Sequence, residues 1–230
     1  MPPPPTFASV IGVGVGFVAA LTSAVAGFLL ARWLRRASYR LPDEADLPRR
    51  AAGWFTPTAV VAATAVAASL HALTSSLVAA TLYAACAIVL VLLAAIDLDV
   101  HRLPDGIQLP AYPAMGLGLA LASWESGRWD SLWRAGIAAV AAFVGFLIMA
   151  LIGTGMGFGD VKLAGLLGLL LGWVSWPMVL WGLAAGIIIG GLVGASLLVT
   201  RRATRGTEFA YGPSLVAGAL LTLAVVPLLR

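Results

Sequence analysis

The stretch LYAACAIVLVLLAAI, residues 82–96, is an unbroken apolar run that ends at Asp97. Such a run crosses lipid as a helix, because a helix satisfies its backbone hydrogen bonds within the segment. Apolar stretches near the roughly 20 residues that a membrane span needs recur along the chain. The sequence therefore predicts an all-α, polytopic membrane protein with about eight transmembrane helices. The predicted spans are 7–34, 55–73, 76–96, 107–124, 132–152, 161–174, 177–200 and 213–229.

The composition agrees with this fold class. Of the 230 residues, 61% are hydrophobic and 10% are charged, and the mean hydropathy is +0.99. Soluble domains carry roughly 25% charged residues. We predict a single membrane-embedded domain over residues 1–230, with a flexible lead at 1–6. The short basic loop at 35–54 is too small to form a core of its own.

The basic residues are divided unequally between the two sides of the predicted bundle. One side holds Arg32, Arg35, Arg36, Arg40, Arg49, Arg50, Arg102, Lys162, Arg201, Arg202 and Arg205. The other holds Arg128, Arg134 and Arg230. The positive-inside rule makes the first side cytoplasmic, which predicts a multi-pass protein of the plasma (inner) membrane with both termini outside. Scattered arginines at helix ends suit lipid headgroups, so we predict a bilayer partner and no nucleic acid.

A second informative stretch is GMGFGDVK, residues 155–162. Ionisable residues at membrane depth mark a functional site by default, and this stretch carries Asp160 and Lys162 between two apolar spans. Its glycines permit positive φ and close backbone approach, which allow a sharp turn; they are Gly155, Gly157 and Gly159. Asp160 falls at the predicted start of the sixth helix, where the macrodipole favours a carboxylate. The alternative is an N-cap aspartate without chemistry.

The two carboxylates, Asp97 and Asp160, end and begin helices on the same side of the bundle, so we expect them to converge. Such a pair can hydrolyse a peptide without a metal, since one member accepts a proton from water while the other donates to the carbonyl oxygen. The single cysteine, Cys86, excludes a thiolate zinc cluster. Neither His71 nor His101 has a second ligand at suitable spacing. We predict a carboxylate dyad with no metal and no cofactor.

Asp99 is an alternative to Asp97, because both lie at the same boundary. Asp97 is favoured because it joins the apolar helix directly. We expect Asp99 to face lipid headgroups or Arg102.

Pro104 and Asp105 together predict the start of the fourth span. Asp105 is expected to be structural, with substrate contact as the alternative. Lys162 could orient the loop, lower a carboxylate pKa or extend to lipid phosphates.

Two further patterns concern packing. Small residues recur every four positions in the seventh span and form one stripe; they are Gly182, Gly186, Gly190 and Gly194. This stripe predicts either a homodimer face or tight packing within the chain. Tryptophans at span ends predict aromatic belts at the membrane interfaces; they are Trp33, Trp54, Trp124, Trp129, Trp133, Trp173 and Trp176.

The stretches IDLDVHRLPD, residues 96–105, and GMGFGDVK, residues 155–162, closely resemble the two signature motifs of the type IV prepilin peptidases. These are polytopic aspartic proteases with a Gly-x-Gly-Asp active site, and the resemblance runs over residues 82–230. It implies that Asp97 and Asp160 are catalytic. It also implies a substrate, the cytoplasmic leader of a pilin-like precursor, cleaved after a glycine. The implied active-site loop and substrate-binding residues are Gly155, Gly157, Gly159, Lys162, Pro104 and Asp105.

The chain departs from the larger family members after the first helix. Those members carry an insertion with two Cys-x-x-Cys pairs, associated with N-methyltransferase activity, whereas YRLP at residues 39–42 is followed here by a loop without cysteine. The resemblance therefore implies peptidase activity without methylation. Two alternatives stay open: a Gly-x-Gly-Asp protease with a different substrate, and a proton- or ion-coupled transporter, which would hold its carboxylates near the bilayer midplane between repeats.

Overall fold

The computed structural model describes residues 7–44, 46, 53–152, 156–200 and 210–225. This part of the chain is all-helical, and the predicted all-α polytopic fold is confirmed. Besides one 3-10 turn at Pro42–Glu44, it contains α1 (Phe7–Arg36), α2 (Phe55–Thr74), α3 (Leu77–Val100), α4 (Asp105–Ser126), α5 (Trp129–Leu151), α6 (Phe158–Val174), α7 (Trp176–Val199) and α8 (Gly212–Val225). By length and composition, α2, α3, α5 and α7 can each cross a membrane.

The turn between α3 and α4 is defined by local backbone preferences. Helix α3 ends at Val100, and the next residue, His101, caps it: His101 adopts a left-handed conformation with φ 53° and donates its N–H to the Asp97 carbonyl at 2.8 Å. This bond satisfies one of the carbonyls that a helix end leaves without a partner. Pro104 is extended and cannot continue the preceding helix. Helix α4 begins at Asp105, as the sequence predicts.

Helix α6 lies in the centre of the bundle, with its backbone close to α5. A Cβ added at Gly168 would meet the Ala138 carbonyl oxygen at 2.6 Å, and one added at Gly172 would meet the Ala138 Cβ at 2.5 Å. Small residues at such a seam let two helices approach closely enough for extensive van der Waals contact, which drives helix association in lipid. The position of α6 is therefore fixed by α5 along most of its length.

The C-terminal end of α6 is capped by Arg134 of α5. Its guanidinium donates to the carbonyls of Gly172 at 2.6 Å, Trp173 at 2.7 Å and Val174 at 3.0 Å. The last carbonyls of a helix have no intrahelical donor, and a buried end needs partners from elsewhere. Arg134 supplies them.

Trp173 is a core residue, so its predicted place in an interfacial belt is wrong. Its side chain is fully buried, its indole N–H donates to Ser123 Oγ at 2.8 Å, and the Arg128 guanidinium lies 4.6 Å from the ring centroid. A buried indole requires an acceptor for its N–H, and Ser123 provides one. In contrast, Trp124 and Trp133 are each 76% exposed, as a belt position requires.

The glycine stripe of α7 packs mainly within the chain. A Cβ added at Gly182 would meet Leu171 of α6 at 2.7 Å, one at Gly186 would meet the Leu215 Cα at 2.8 Å, and one at Gly190 would meet the Tyr211 ring at 2.9 Å. Of these four glycines, Gly194 is the only one whose added Cβ would have no described atom within 4 Å. Packing against the chain's own helices accounts for three of the four glycines, and the homodimer stays a prediction.

We predict that Gly218→Ala destabilises the bundle. An added Cβ would clash with the Gly186 backbone nitrogen and would lie 2.7 Å from the Gly182 carbonyl oxygen, so α7 and α8 must separate. Overpacking of this kind costs about 1–3 kcal/mol, which corresponds to a fall in Tm of a few degrees for a chain of this size. Thermal unfolding in detergent measures it, with Gly194→Ala as the matched control. Equal Tm values for the two variants would contradict this packing.

Candidate active site

Three helix ends meet around a cavity of about 410 Å³. They are the C-terminus of α3 and the N-termini of α4 and α6. The predicted site residues that line the cavity are Asp97, Asp105, Gly157, Gly159, Asp160 and Lys162. Pro104 is the N-cap residue of α4. Gly155 lies outside the described residues.

Asp97 lies in the last turn of α3, and it is held by the start of α8. Its side chain is buried, with the residue only 4% exposed, and Oδ2 accepts a hydrogen bond from the Gly212 N–H at 3.1 Å. A Cβ at Gly212 would meet this oxygen at 2.7 Å, so only glycine allows the approach. Sequence reasoning missed this contact. The Gly-Pro pair at the start of a helix, Gly212-Pro213, was the available signal.

Asp160 is the third residue of α6, and it is 8% exposed. The N-cap position belongs to Gly157, whose carbonyl accepts the Asp160 N–H at 3.0 Å. Asp160 is therefore not the N-cap residue itself, although its carboxylate accepts a hydrogen bond from the Gly157 backbone at the start of the helix. Its carboxylate faces the same cavity as that of Asp97.

The glycines near Asp160 serve close approach rather than positive φ. Gly157 is extended, with φ −72° and ψ 152°, and among the described glycines only Gly127 has a positive φ. Of the two uses that the sequence allows for these glycines, positive φ is not found at Gly157 or Gly159. A Cβ at Gly159 would lie 3.1 Å from the Leu103 Cβ, so the lack of a side chain lets α6 start directly against the α3–α4 turn.

Lys162 forms an ion pair across the cavity wall. Its Nζ lies 2.6 Å from Asp105 Oδ1, and the two side chains are 17% and 57% exposed. The ammonium also lies 5.0 Å from the Phe158 ring centroid. Of the roles open to Lys162, the structure supports orientation of the loop, because the pair joins the first turns of α4 and α6.

The segment after α1 attaches to the end of α3 by two ion pairs. Asp99 accepts hydrogen bonds from Tyr39 Oη at 2.7 Å and from Arg40 Nε at 2.9 Å, while Arg102 Nε donates to Glu44 at 2.8 Å. Burial, together with the Asp99 carboxylate, raises the pKa of Tyr39 to about 12. Hydrogen bonds from Arg102 lower the pKa of Glu44.

Asp99 therefore does not face lipid headgroups, and that one of its two predicted surroundings is wrong. Its side chain is only 8% exposed because Tyr39 and Arg40 cover it. Asp97, two residues earlier and on the opposite face of α3, is the carboxylate that lines the cavity. Sequence reasoning did not find these partners, which come from some 60 residues earlier in the chain.

The arrangement brings two buried carboxylates from separate helices to one cavity. Like charges a few ångströms apart oppose double ionisation, so such a pair can hold one proton between them. The described residues contain no group of three or more His, Cys, Asp or Glu side chains that could bind a metal ion. The two carboxyl groups can therefore act as a general acid and a general base.

Comparison with known proteins agrees with the two motifs. Residues 84–195 match the model of the type IV leader peptidase family. The prepilin leader peptidase/N-methyltransferase of Pseudomonas putida is 36% identical over 141 residues, covering 58% of this chain and 46% of that protein. Its namesake in Aeromonas hydrophila is 34% identical over 144 residues, covering 59% and 46%.

The corresponding protein of Stutzerimonas stutzeri is 31% identical over 128 residues, covering 54% of this chain and 42% of that protein. The chain thus spans about half the length of the curated relatives that it matches. No solved structure is significantly similar. The predicted resemblance to the type IV prepilin peptidase family is confirmed, and the matched residues include both Asp97 and Asp160.

We predict that Asp99→Leu lowers Tm more than the double variant Arg40→Met/Asp99→Leu. The single change removes the acceptor of the Tyr39 and Arg40 hydrogen bonds while leaving a guanidinium whose side chain is only 4% exposed. Removing one member of a buried pair is more costly than replacing both with apolar residues. Thermal unfolding of the purified proteins measures the difference. A double variant that is less stable than the single one would show that the pair is not a structural tether.

Proposed function

We propose that this chain is a membrane aspartic endopeptidase that removes the leader peptide of type IV pilin-like precursors, with Asp97 and Asp160 as the catalytic pair. The observation that carries the proposal is that these two aspartates, one from each motif, line the same cavity. The family match over residues 84–195 supports the reaction class. The curated relatives are named prepilin leader peptidase/N-methyltransferase, which supports the substrate class.

In the proposed mechanism, a water molecule lies between the two carboxyl groups, which share one proton. The ionised member accepts a proton from the water as its oxygen attacks the scissile carbonyl carbon. The protonated member donates its proton to the carbonyl oxygen, giving a neutral tetrahedral diol. Collapse of this intermediate breaks the C–N bond as the first carboxyl gives its proton to the leaving nitrogen. A diol proton returns to the second carboxyl, and the pair again holds one proton.

The position of the cavity suits a bond at the edge of an apolar helix. Asp97 directly follows the apolar run 82–96, so the cavity lies where α3 leaves its most hydrophobic stretch. A pilin-like precursor with its apolar helix in the bilayer would present the bond just ahead of that helix at this depth. The distribution of basic residues supports a cytoplasmic position for the cavity, with both termini on the outer side.

The proposed activity of this chain does not include methylation of the new N-terminus. The 35–54 loop contains no cysteine, and contacts of Tyr39 and Arg40 tie its first residues to α3. Mass spectrometry of a cleaved precursor therefore reports two properties together, the position of the new N-terminus and the presence of an added methyl group. Cleavage of unrelated helical substrates, but not of a leader peptide, would favour the alternative Gly-x-Gly-Asp protease.

We predict that Asp97→Asn and Asp160→Asn each reduce leader cleavage by roughly 10²-fold or more, the typical contribution of a general acid or base. The purified variants are incubated with a pilin-like precursor, and the new N-terminus is quantified by mass spectrometry. Asp130→Asn is the matched control, since Asp130 lies in the first turn of α5 at the other end of the bundle. Normal cleavage by either active-site variant would refute the dyad.

Gly212→Ala is expected to lower kcat/KM on the order of 10²-fold, because the new Cβ would meet Asp97 Oδ2 at 2.7 Å and displace the carboxylate. The control is Gly116→Ala in α4, where an added Cβ has no described atom within 4 Å. Steady-state cleavage of a leader peptide gives both values. Equal kcat/KM for the two variants would mean that the Gly212 contact does not govern the position of Asp97.

A further inference from the structure

One face of α4 forms hydrogen bonds with the first turn of α6. Asp105 pairs with Lys162 Nζ at 2.6 Å, Gln108 Nε2 donates to the Gly159 carbonyl at 3.0 Å, and Tyr112 Oη donates to the Lys162 carbonyl at 2.5 Å. Positions 105, 108 and 112 follow the spacing of one helical face. All three contacts converge on the turn that carries Asp160.

Gln108 makes the contact nearest to Asp160. The Gly159 carbonyl belongs to the peptide group that also contains the Asp160 nitrogen, so a bond to this carbonyl fixes the peptide plane from which the aspartate side chain departs. The Lys162–Asp105 pair is partly exposed to solvent, and exposed ion pairs restrain geometry weakly. Gln108 itself is fully buried, so its bond is shielded from competing water.

The chemistry of the Gln108 side chain also indicates a specific use for its donor. Nε2 donates to Gly159, while the buried Oε1 has no hydrogen-bond partner among the described residues. The opposite assignment of the amide would place two carbonyl oxygens against each other, so the donor must face Gly159. A half-satisfied amide is unfavourable in an apolar interior, which means that packing alone gives no reason for a glutamine here.

Resting on the proposed peptidase function, we propose that Gln108 is a positioning residue. Its hydrogen bond to the Gly159 carbonyl orients Asp160 toward the cavity that Asp97 also lines. Gln108 is not among the residues that line the cavity, so it acts through the Gly159–Asp160 peptide rather than on the substrate. The consequence is a selective effect on the chemical step.

The first test is Gln108→Met, which keeps the length of the side chain and removes the donor. We expect kcat for a leader peptide to fall about 10- to 100-fold, because a small displacement of a catalytic group has a large kinetic effect. KM should stay within about threefold, because binding surfaces are unchanged. The control, Leu109→Met, alters an exposed α4 side chain and should leave both constants unchanged. An unchanged kcat, or a rise in KM alone, overturns the proposal.

The second test is Gln108→Glu, which separates positioning from loss of folding. A protonated glutamic acid donates an O–H to the Gly159 carbonyl, whereas the ionised form repels it. Activity should therefore approach that of the wild type at low pH, and it should begin to fall at a lower pH than in the wild type or Gln108→Met, where only loss of the shared dyad proton lowers activity. The titratable groups nearby are the same in all three proteins; they are Asp97, Asp105, Tyr112, Asp160 and Lys162. Identical pH profiles for the two variants overturn the proposal.

A third measurement does not depend on peptidase activity. In a Cys86→Ala background, the thiol of Asp160→Cys is labelled with a maleimide, with and without Gln108→Met. Positioning predicts a labelling rate that changes severalfold with Gln108→Met and not with Leu109→Met. An unchanged rate overturns the role of Gln108. If the wild type fails to cleave any leader peptide but the labelling rate changes, the peptidase function fails and the positioning of residue 160 stands.

Discussion

The structure depends on keeping helix α6 in the centre of an apolar bundle, with its C-terminal carbonyls satisfied and its N-terminal end held in place. In lipid, no water is available to hydrogen-bond an unpaired backbone carbonyl or amide, so each unpaired group destabilises the fold by several kcal/mol. Arg134 satisfies the carbonyls at the C-terminal end. Gln108 and Tyr112 donate to the carbonyls of Gly159 and Lys162 and thereby hold the N-terminal end against α4. Close packing against α5 fixes the part of α6 between its two ends. Asp160 is thereby presented from a rigid element.

The same principle organises the other side of the cavity. Asp97 is held from α8 by the Gly212 amide, and the following turn is tied to the segment after α1 through Asp99 and Arg102. Two carboxylates in one cavity repel each other when both are ionised, so they remain close only if the surrounding helices fix them. Several helices packed on α3 and α6 provide that restraint, and they give the proposed hydrolysis its geometry.

The sequence was sufficient for the helices and for the convergence of the two aspartates. Hydropathy alone located all eight helices, because in lipid the apolar run and the helix coincide. Alternation of helix direction then placed Asp97 and Asp160 at the same end of the bundle. These predictions rest on local patterns and on counting, both of which a single sequence contains.

The side-chain contacts were less accessible from the sequence. Asp99 is covered by residues from the end of α1, and Trp173 is buried because the central position of α6 takes its end below the surface. The sequence did not single out Gln108 as a contact residue, because one polar residue near the start of a helix is common. Each of these outcomes depends on which helices become neighbours, and hydrophobic periodicity does not specify neighbours when helices are apolar all round.

The central claim is that residues 97 and 160 face each other across one cavity, and thiol bridging tests it directly. Asp97→Cys and Asp160→Cys are combined in a Cys86→Ala background and treated in native membranes with dibromobimane, which fluoresces strongly only after it bridges two thiols. We expect bridging in this double variant and none in a control that combines Asp97→Cys with Asp130→Cys, at opposite ends of the bundle. Absence of bridging, with each single thiol still reactive toward a maleimide, would contradict the account.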